Sequence, residues 1–174
     1  MSPSENSPFW TFSLAFYRQP GVAEACLRLQ DESGVDVNVL LFLLWQASKG
    51  WELSPAEVGE LDQHVAAWRQ MTVIPLRSVR RALKSPPAML TPDAGEGYRT
   101  RIKAVELEAE RLQQRAMFEW SENSRPGQAA SSIHQAAAAN VAAYENVLET
   151  SLLSSAASDI LKALDTMCMP NQVV

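Results

Sequence analysis

Few side chains in this sequence have the types and spacing that chemistry requires. The histidines are His64 and His134, and the cysteines are Cys26 and Cys168. A dinuclear metal centre in a helical bundle needs inward carboxylates and Glu-x-x-His pairs. Leu61 stands three residues before His64 and Ser131 three before His134, so neither histidine supplies that motif. Only Glu60 and His64 have a metal-compatible spacing, and a solvated helix face accounts for it better; no metal site is expected. Glu106 and Glu110 also share a helix face, where the surrounding Arg and Lys point to surface ion pairing. A Cys nucleophile would need a nearby base, but Cys26 lies on an apolar stripe, where a free thiol acts as a small hydrophobe. Cys168 lies near the C-terminus and is expected to be exposed or frayed. There is no Gly-rich phosphate loop, Gly-x-Ser-x-Gly elbow or zinc knuckle, so no cofactor is implied.

Two constellations remain. Gln30, Asp31, Asp36 and Asn38 place four polar groups at one interhelical junction and, with Tyr17, could line a ligand pocket. Capping and turn closure around Gly34 is the competing and preferred explanation. The segment 74–84 sets Leu76, Val79 and Leu83 on one side of a helix and Arg77, Arg80, Arg81 and Lys84 around the other. A basic amphipathic helix can meet an acidic protein, a nucleic-acid backbone or an anionic membrane surface. The competing reading is internal pairing with Glu57, Glu60 and Asp62 of the preceding helix.

The elements that position these groups read as helices separated by Pro and Gly. Ser7-Pro8 starts a helix reaching about Arg18, Pro20 opens a second, and Gly34 stops it. Asp36 caps an apolar helix over 37–49, which is placed centrally, and Gly50 ends it. Ser54-Pro55-Ala56-Glu57 has the form of a capping box. Val58, Leu61, Val65 and Trp68 then recur at helical spacing, and Pro75 ends or kinks what continues past Met71. The basic helix spans about 75–84. Three prolines and two glycines in 85–97 mark the best internal boundary. A long helix over about 98–121 follows, with Ile102, Val105, Leu112, Ala116 and Trp120 as candidates for burial. The Ala-rich stretch 131–167 is helical, with Ile133, Val141, Tyr144, Leu148 and Leu152 as an apolar stripe and Ser154-Ser155 as a candidate kink. Of the tryptophans, Trp10 and Trp51 fall near helix ends, where partial exposure favours recognition.

The expected fold is therefore all-α. A compact N-terminal helical bundle spans 8–84, and 85–97 is a linker. A long C-terminal helical hairpin over 98–168 packs on the first part as one domain, or on a partner.

Phe9-Trp10-x-Phe12-Ser13-Leu14, Pro20-Gly21-Val22-Ala23, Ala25-Cys26-Leu27-x-Leu29-Gln30-Asp31, Gly34-x-Asp36-Val37-Asn38 and Leu41-Phe42-x-Leu44-Trp45 together resemble a family of small uncharacterised bacterial proteins. The likeness is specific over 9 to about 51, looser to about 120, and uninformative beyond. It implies a bacterial cytosol and no mechanism.

Composition sets the outer bounds. The chain has 174 residues, 47 % apolar and 20 % charged, which describes a folded, soluble domain. Two distant cysteines fit free thiols in a reducing cytoplasm, and the first residues lack the features of a secretory signal. The apolar run 37–47 is too short for a bilayer span of roughly 20 residues. A net charge of -5 argues against a general nucleic-acid coat, although 68–92 carries five basic and no acidic residues. The leading expectation is a non-catalytic interaction or adaptor protein that uses the basic helix. Its partner would be a protein, an acidic one or else a nucleic acid being complementary, with self-association left open. The alternative is a small-ligand binder or enzyme at the polar junction.

Overall fold

The computed structural model describes residues 7–152 and 154–168. The chain is all-α: α1 (Pro8–Tyr17), α2 (Val22–Ser33), α3 (Val37–Ser48), α4 (Pro55–Trp68), a π-helical turn (Arg69–Val73), α5 (Ile74–Ala82), α6 (Pro92–Ser124), α7 (Ile133–Leu148) and α8 (Ser154–Cys168). A two-residue antiparallel ladder, β1 (Trp51–Glu52) with β2 (Gln128–Ala129), ties the loop after α3 to the loop after α6. Among the described residues, no helix is long and apolar enough to cross a membrane.

Local chemistry sets most helix starts. Ser7 Oγ accepts from the Trp10 amide, with Pro8 in the first turn of α1. Asp36 caps α3 by accepting from the Asn38 amide at 2.9 Å. Ser54 and Glu57 form the reciprocal capping box of α4. Gly34, at φ +69°, closes α2 in the left-handed conformation that glycine adopts without steric cost.

α3 is the central element. Residues from Val39 to Ala47 are nearly all sealed from water, with Phe9 and Phe16 of α1 among their neighbours in the core. Tyr144, Ala136, Ala137 and Val141 of α7, with Ile160 and Leu164 of α8, join the same hydrophobic cluster. α7 packs on α3 and α4, α8 on α2, and α6 on α5, α4, α1 and α3. Asn140 of α7 is fully buried and fully bonded: Nδ2 donates to the Leu43 and Trp51 carbonyls, and Oδ1 accepts from the Leu53 amide.

Four details depart from the expectations. α6 starts at Pro92, so 92–97 is helical instead of linker; Thr91-Pro92 repeats the Ser-Pro start signal, and Thr91 Oγ1 accepts from the Ala94 amide. Gly95 lets Pro86 approach, since a Cβ there would lie 3.0 Å from the proline ring. Pro75 does not end the preceding helix: the i→i−5 turn over 69–73 widens the backbone, which accommodates a residue that has no N–H for the Met71 carbonyl. The Ala-rich stretch is interrupted between Leu148 and Ser154, with Glu149 at φ +51°, and Ser154-Ser155 open α8 instead of kinking a continuous helix.

The fourth departure concerns which face of α6 turns inward. Val105 and Leu112 are 52 % and 42 % exposed, whereas Glu106, Ala109, Gln113, Gln114 and Met117 are buried. The surface that α6 meets carries Asp36, Asn38 and the α5 arginines, so polar side chains find their partners inside.

Glu57 joins distant parts of this frame. Oε2 accepts from the Ser54 amide and hydroxyl, and Oε1 accepts from the Gly127 amide at 2.8 Å. Burial opposes its ionisation, but these hydrogen bonds outweigh it and hold the carboxyl below its ordinary 4.5. Glu57→Gln is expected to cost about 1 kcal/mol at neutral pH. A depressed carboxyl contributes stability above its unfolded pKa, so the gap between wild type and variant should close as pH falls below about 4.5. Urea denaturation at pH 7 and at pH 3.5 checks both parts.

Candidate functional site

The basic helix α5 turns Arg77 and Arg80 inward. Arg77 Nε lies 3.4 Å from Glu106 Oε1 and its Nη2 3.0 Å from Glu110 Oε1. Arg80 grips Glu106 through Nε and Nη2, and Arg81 Nη2 meets Asp31 at 2.8 Å. No described residue of α5 is buried and Val79 is 44 % exposed, so ion pairs with α6 add to the half-buried Leu76 in holding this helix. The arginines' partners are therefore Glu106, Glu110 and Asp31, not Glu57, Glu60 and Asp62. Glu57 serves the capping box, Glu60 is exposed, and Asp62 is taken by Arg69. Glu106, expected in a surface pair, is only 4 % exposed. Lys84 is exposed near the end of α5.

A second polar cluster centres on Asp36. Besides capping α3, its carboxylate accepts from Gln113 Nε2 at 2.6 Å and from Arg69 Nη1 at 3.1 Å. Its backbone N–H donates to the Tyr144 hydroxyl at 3.0 Å. Arg69 also forks onto both oxygens of Asp62. Burial works against the Arg69 charge, and the two aspartates more than restore it, so its pKa is raised. Burial pushes the Tyr144 phenol up. Asp36, Asp62, Arg69 and Tyr144 line a cleft of about 270 Å³.

The polar junction expected from sequence is thus divided. Tyr17, Gln30 and Asn38 line a cavity of about 440 Å³ between α1, α2, α3, α5 and α6, together with Arg77, Arg80, Glu106 and Glu110. Asp36 faces the smaller cleft, which Gln30 and Arg77 also border, and Asp31 is exposed in its pair with Arg81. The Arg81 hydrogen bond holds the Asp31 carboxyl low. Burial raises Glu110 and Tyr17 above their ordinary values. Apolar side chains at the cavity include Trp10, Leu14, Leu27 and Leu107.

Two lining residues had no signal in the sequence. Ser13 and Gln114 are each 3 % exposed, and Ser13 Oγ and Gln114 Oε1 have no hydrogen-bond partner, although Gln114 Nε2 donates to Asn38 Oδ1. Nearly all buried polar atoms in folded proteins are partnered, so two orphans at one cavity are informative. Ser13 lies within an apolar helical run, and Gln114 is 76 residues from Asn38, so spacing alone reveals neither.

The cysteines and histidines lie outside the linings of both clefts. Cys26 is fully buried, and burial pushes its thiol up to about 12, which keeps it protonated. Cys168 is half-buried, His64 is exposed, and His134 pairs with Asp165 at 3.0 Å on the surface. Among the described residues, no three His, Cys, Asp or Glu side chains converge as a metal-holding group. Trp51 is 40 % exposed and Trp10 half-buried.

The two kinds of arginine pair differ in burial, and mutation should separate them. Breaking a fully buried pair costs about 3–5 kcal/mol; with Arg80 partly exposed, Arg80→Ala is expected to cost about 2 kcal/mol and lower Tm by about 4–8 °C. Arg81→Ala breaks a surface pair and should stay within about 0.5 kcal/mol. Thermal denaturation of the two variants side by side checks this, and equal effects would contradict it.

Residues 8–117 match a family described as a protein of unknown function, DUF2390. That span contains every residue lining the 440 Å³ cavity. No curated protein and no solved structure matches the chain. With well over half of its length in the match, the chain belongs to the DUF2390 family.

Proposed function

We propose that this protein binds a small molecule in the cavity between α1, α2, α3, α5 and α6. The observation that carries the reading is the pair of buried, unpartnered atoms at that cavity, Ser13 Oγ and Gln114 Oε1. An unsatisfied buried polar atom costs about 1–3 kcal/mol, and a bound ligand is one way to recover that cost. The size also fits, since ligand pockets run roughly 300–1,000 Å³, with mostly apolar walls and a few converging polar groups.

Catalysis has less support. Arg77 and Arg80 are already paired with Glu106 and Glu110, which leaves no unpaired carboxylate at the cavity to serve as a base beside a nucleophile. The reading of α5 as a docking surface for a protein or a nucleic acid draws on Arg81 and Lys84, because Arg77 and Arg80 are bound to α6.

The rim residue Leu107, half exposed, offers a test that leaves the core alone. Fragments that bind the wild type should raise its Tm on the order of 5–10 °C at a hundredfold excess over Kd. Leu107→Trp narrows the mouth and should abolish those shifts while keeping the protein's own Tm within about 2 °C. A library with no stabilising compound, or shifts that survive in Leu107→Trp, would overturn the proposal.

A further inference from the structure

Given a ligand in this cavity, its walls also select among head groups, and the selection rests on the small-molecule reading above. The side chains that face an incoming molecule divide into apolar, charged and unpartnered polar groups.

The apolar side chains, Trp10, Leu14, Leu27 and Leu107, call for an apolar body. The charges oppose both signs of ion. Arg77 and Arg80 are matched by Glu106 and Glu110, and Lys103 is exposed to water, so a cationic head finds no unpaired carboxylate at the cavity. An anion fares no better. Drawing Arg77 and Arg80 towards it would strip Glu106, whose side chain is 6 % exposed, of the guanidiniums that neutralise it. Lys103 is exposed to water and adds little attraction.

The unpartnered atoms point to what remains. Gln114 Oε1 is a pure acceptor, and one N–H of its amide already donates to Asn38 Oδ1. Ser13 Oγ can accept as well as donate. Both atoms are closed to water in the free protein, so bonding an occupant of the cavity requires a change of rotamer at Ser13 and at Gln114. We infer that the ligand is an uncharged amphipathic molecule, an apolar body whose hydroxyl or amide N–H donates to Gln114 Oε1, with Ser13 Oγ bonding the same head group as donor or acceptor.

A matched series on one body tests this: 3-phenylpropan-1-ol, its methyl ether, 3-phenylpropanoate and 3-phenylpropylammonium, titrated into the full chain by ¹H–¹⁵N NMR. The alcohol is expected to shift the Ser13 amide and the Gln114 side-chain amide, and the ether, which cannot donate, to bind about tenfold more weakly. Both ions should bind more weakly than the alcohol. In Ser13→Ala, which removes an orphan and favours helix, the alcohol-to-ether ratio should fall. An ether equal to the alcohol, or an ion that binds tighter, overturns the head-group assignment and leaves the cavity standing as a binding site. No response at cavity residues to any of the four overturns the binding reading itself.

Discussion

A charge removed from water must be paired, and the arrangement of this protein around α3 follows from that rule. Asp36 begins as a helix cap, but it sits where α6, α7 and the π turn converge, only 9 % exposed. Its carboxylate is satisfied from three directions, by the Asn38 amide, Gln113 and Arg69, and its own amide reaches Tyr144. Glu106 repeats the requirement a few turns away, with Arg77 and Arg80 supplying the countercharge. Partners for these carboxylates must come from α5, α6 and the turn between α4 and α5. The polar seam therefore sets the rotation of α6 about its axis, which apolar patterning leaves undetermined. Buried pairs of this kind add little net stability but penalise any register in which one partner is missing.

The cavity is a consequence of the same seam. Glu106, Gln113 and Gln114 are held by specific partners, so α6 cannot rotate to bring Val105 or Leu112 against the bundle. The space between α6 and the α1–α2 corner is then bounded by the polar ends of that seam on one side and by Leu14, Leu27 and Leu107 on the other. A site that combines exposed leucines with buried polar groups results, with Arg77 and Arg80 neutralised by Glu106 and Glu110 before any ligand arrives. Pocket and seam share Gln30 and Arg77, which border both the larger cavity and the cleft beside Asp36.

What was legible in the sequence was local. Ser7, Asp36, Ser54 with Glu57, and Gly34 act within a few residues of themselves, and they sit where capping chemistry puts them. The all-α class and the central place of α3 follow from the same short-range patterns. Tyr17, Gln30 and Asn38 were readable as candidates for one site because polar groups at a helix junction are conspicuous. The rest depends on residues far apart in the chain. α6 has apolar side chains on more than one face, so its periodicity favours Ile102 and Val105 unless the arginines of α5 are known to lie opposite. Ser13 and Gln114 have significance only through what their surroundings fail to provide.

The account depends on α6 being fastened through its polar face as firmly as α3 is through its apolar one. Amide hydrogen exchange across both helices measures that directly, because exchange from well-docked segments requires sub-global or global opening. Slow exchange over 106–117, with opening free energies close to those of 40–46, is the predicted result. Exchange over 106–117 that is orders of magnitude faster than in α3 would show that the polar seam does not hold the helix, and would contradict both the register and the cavity built on it.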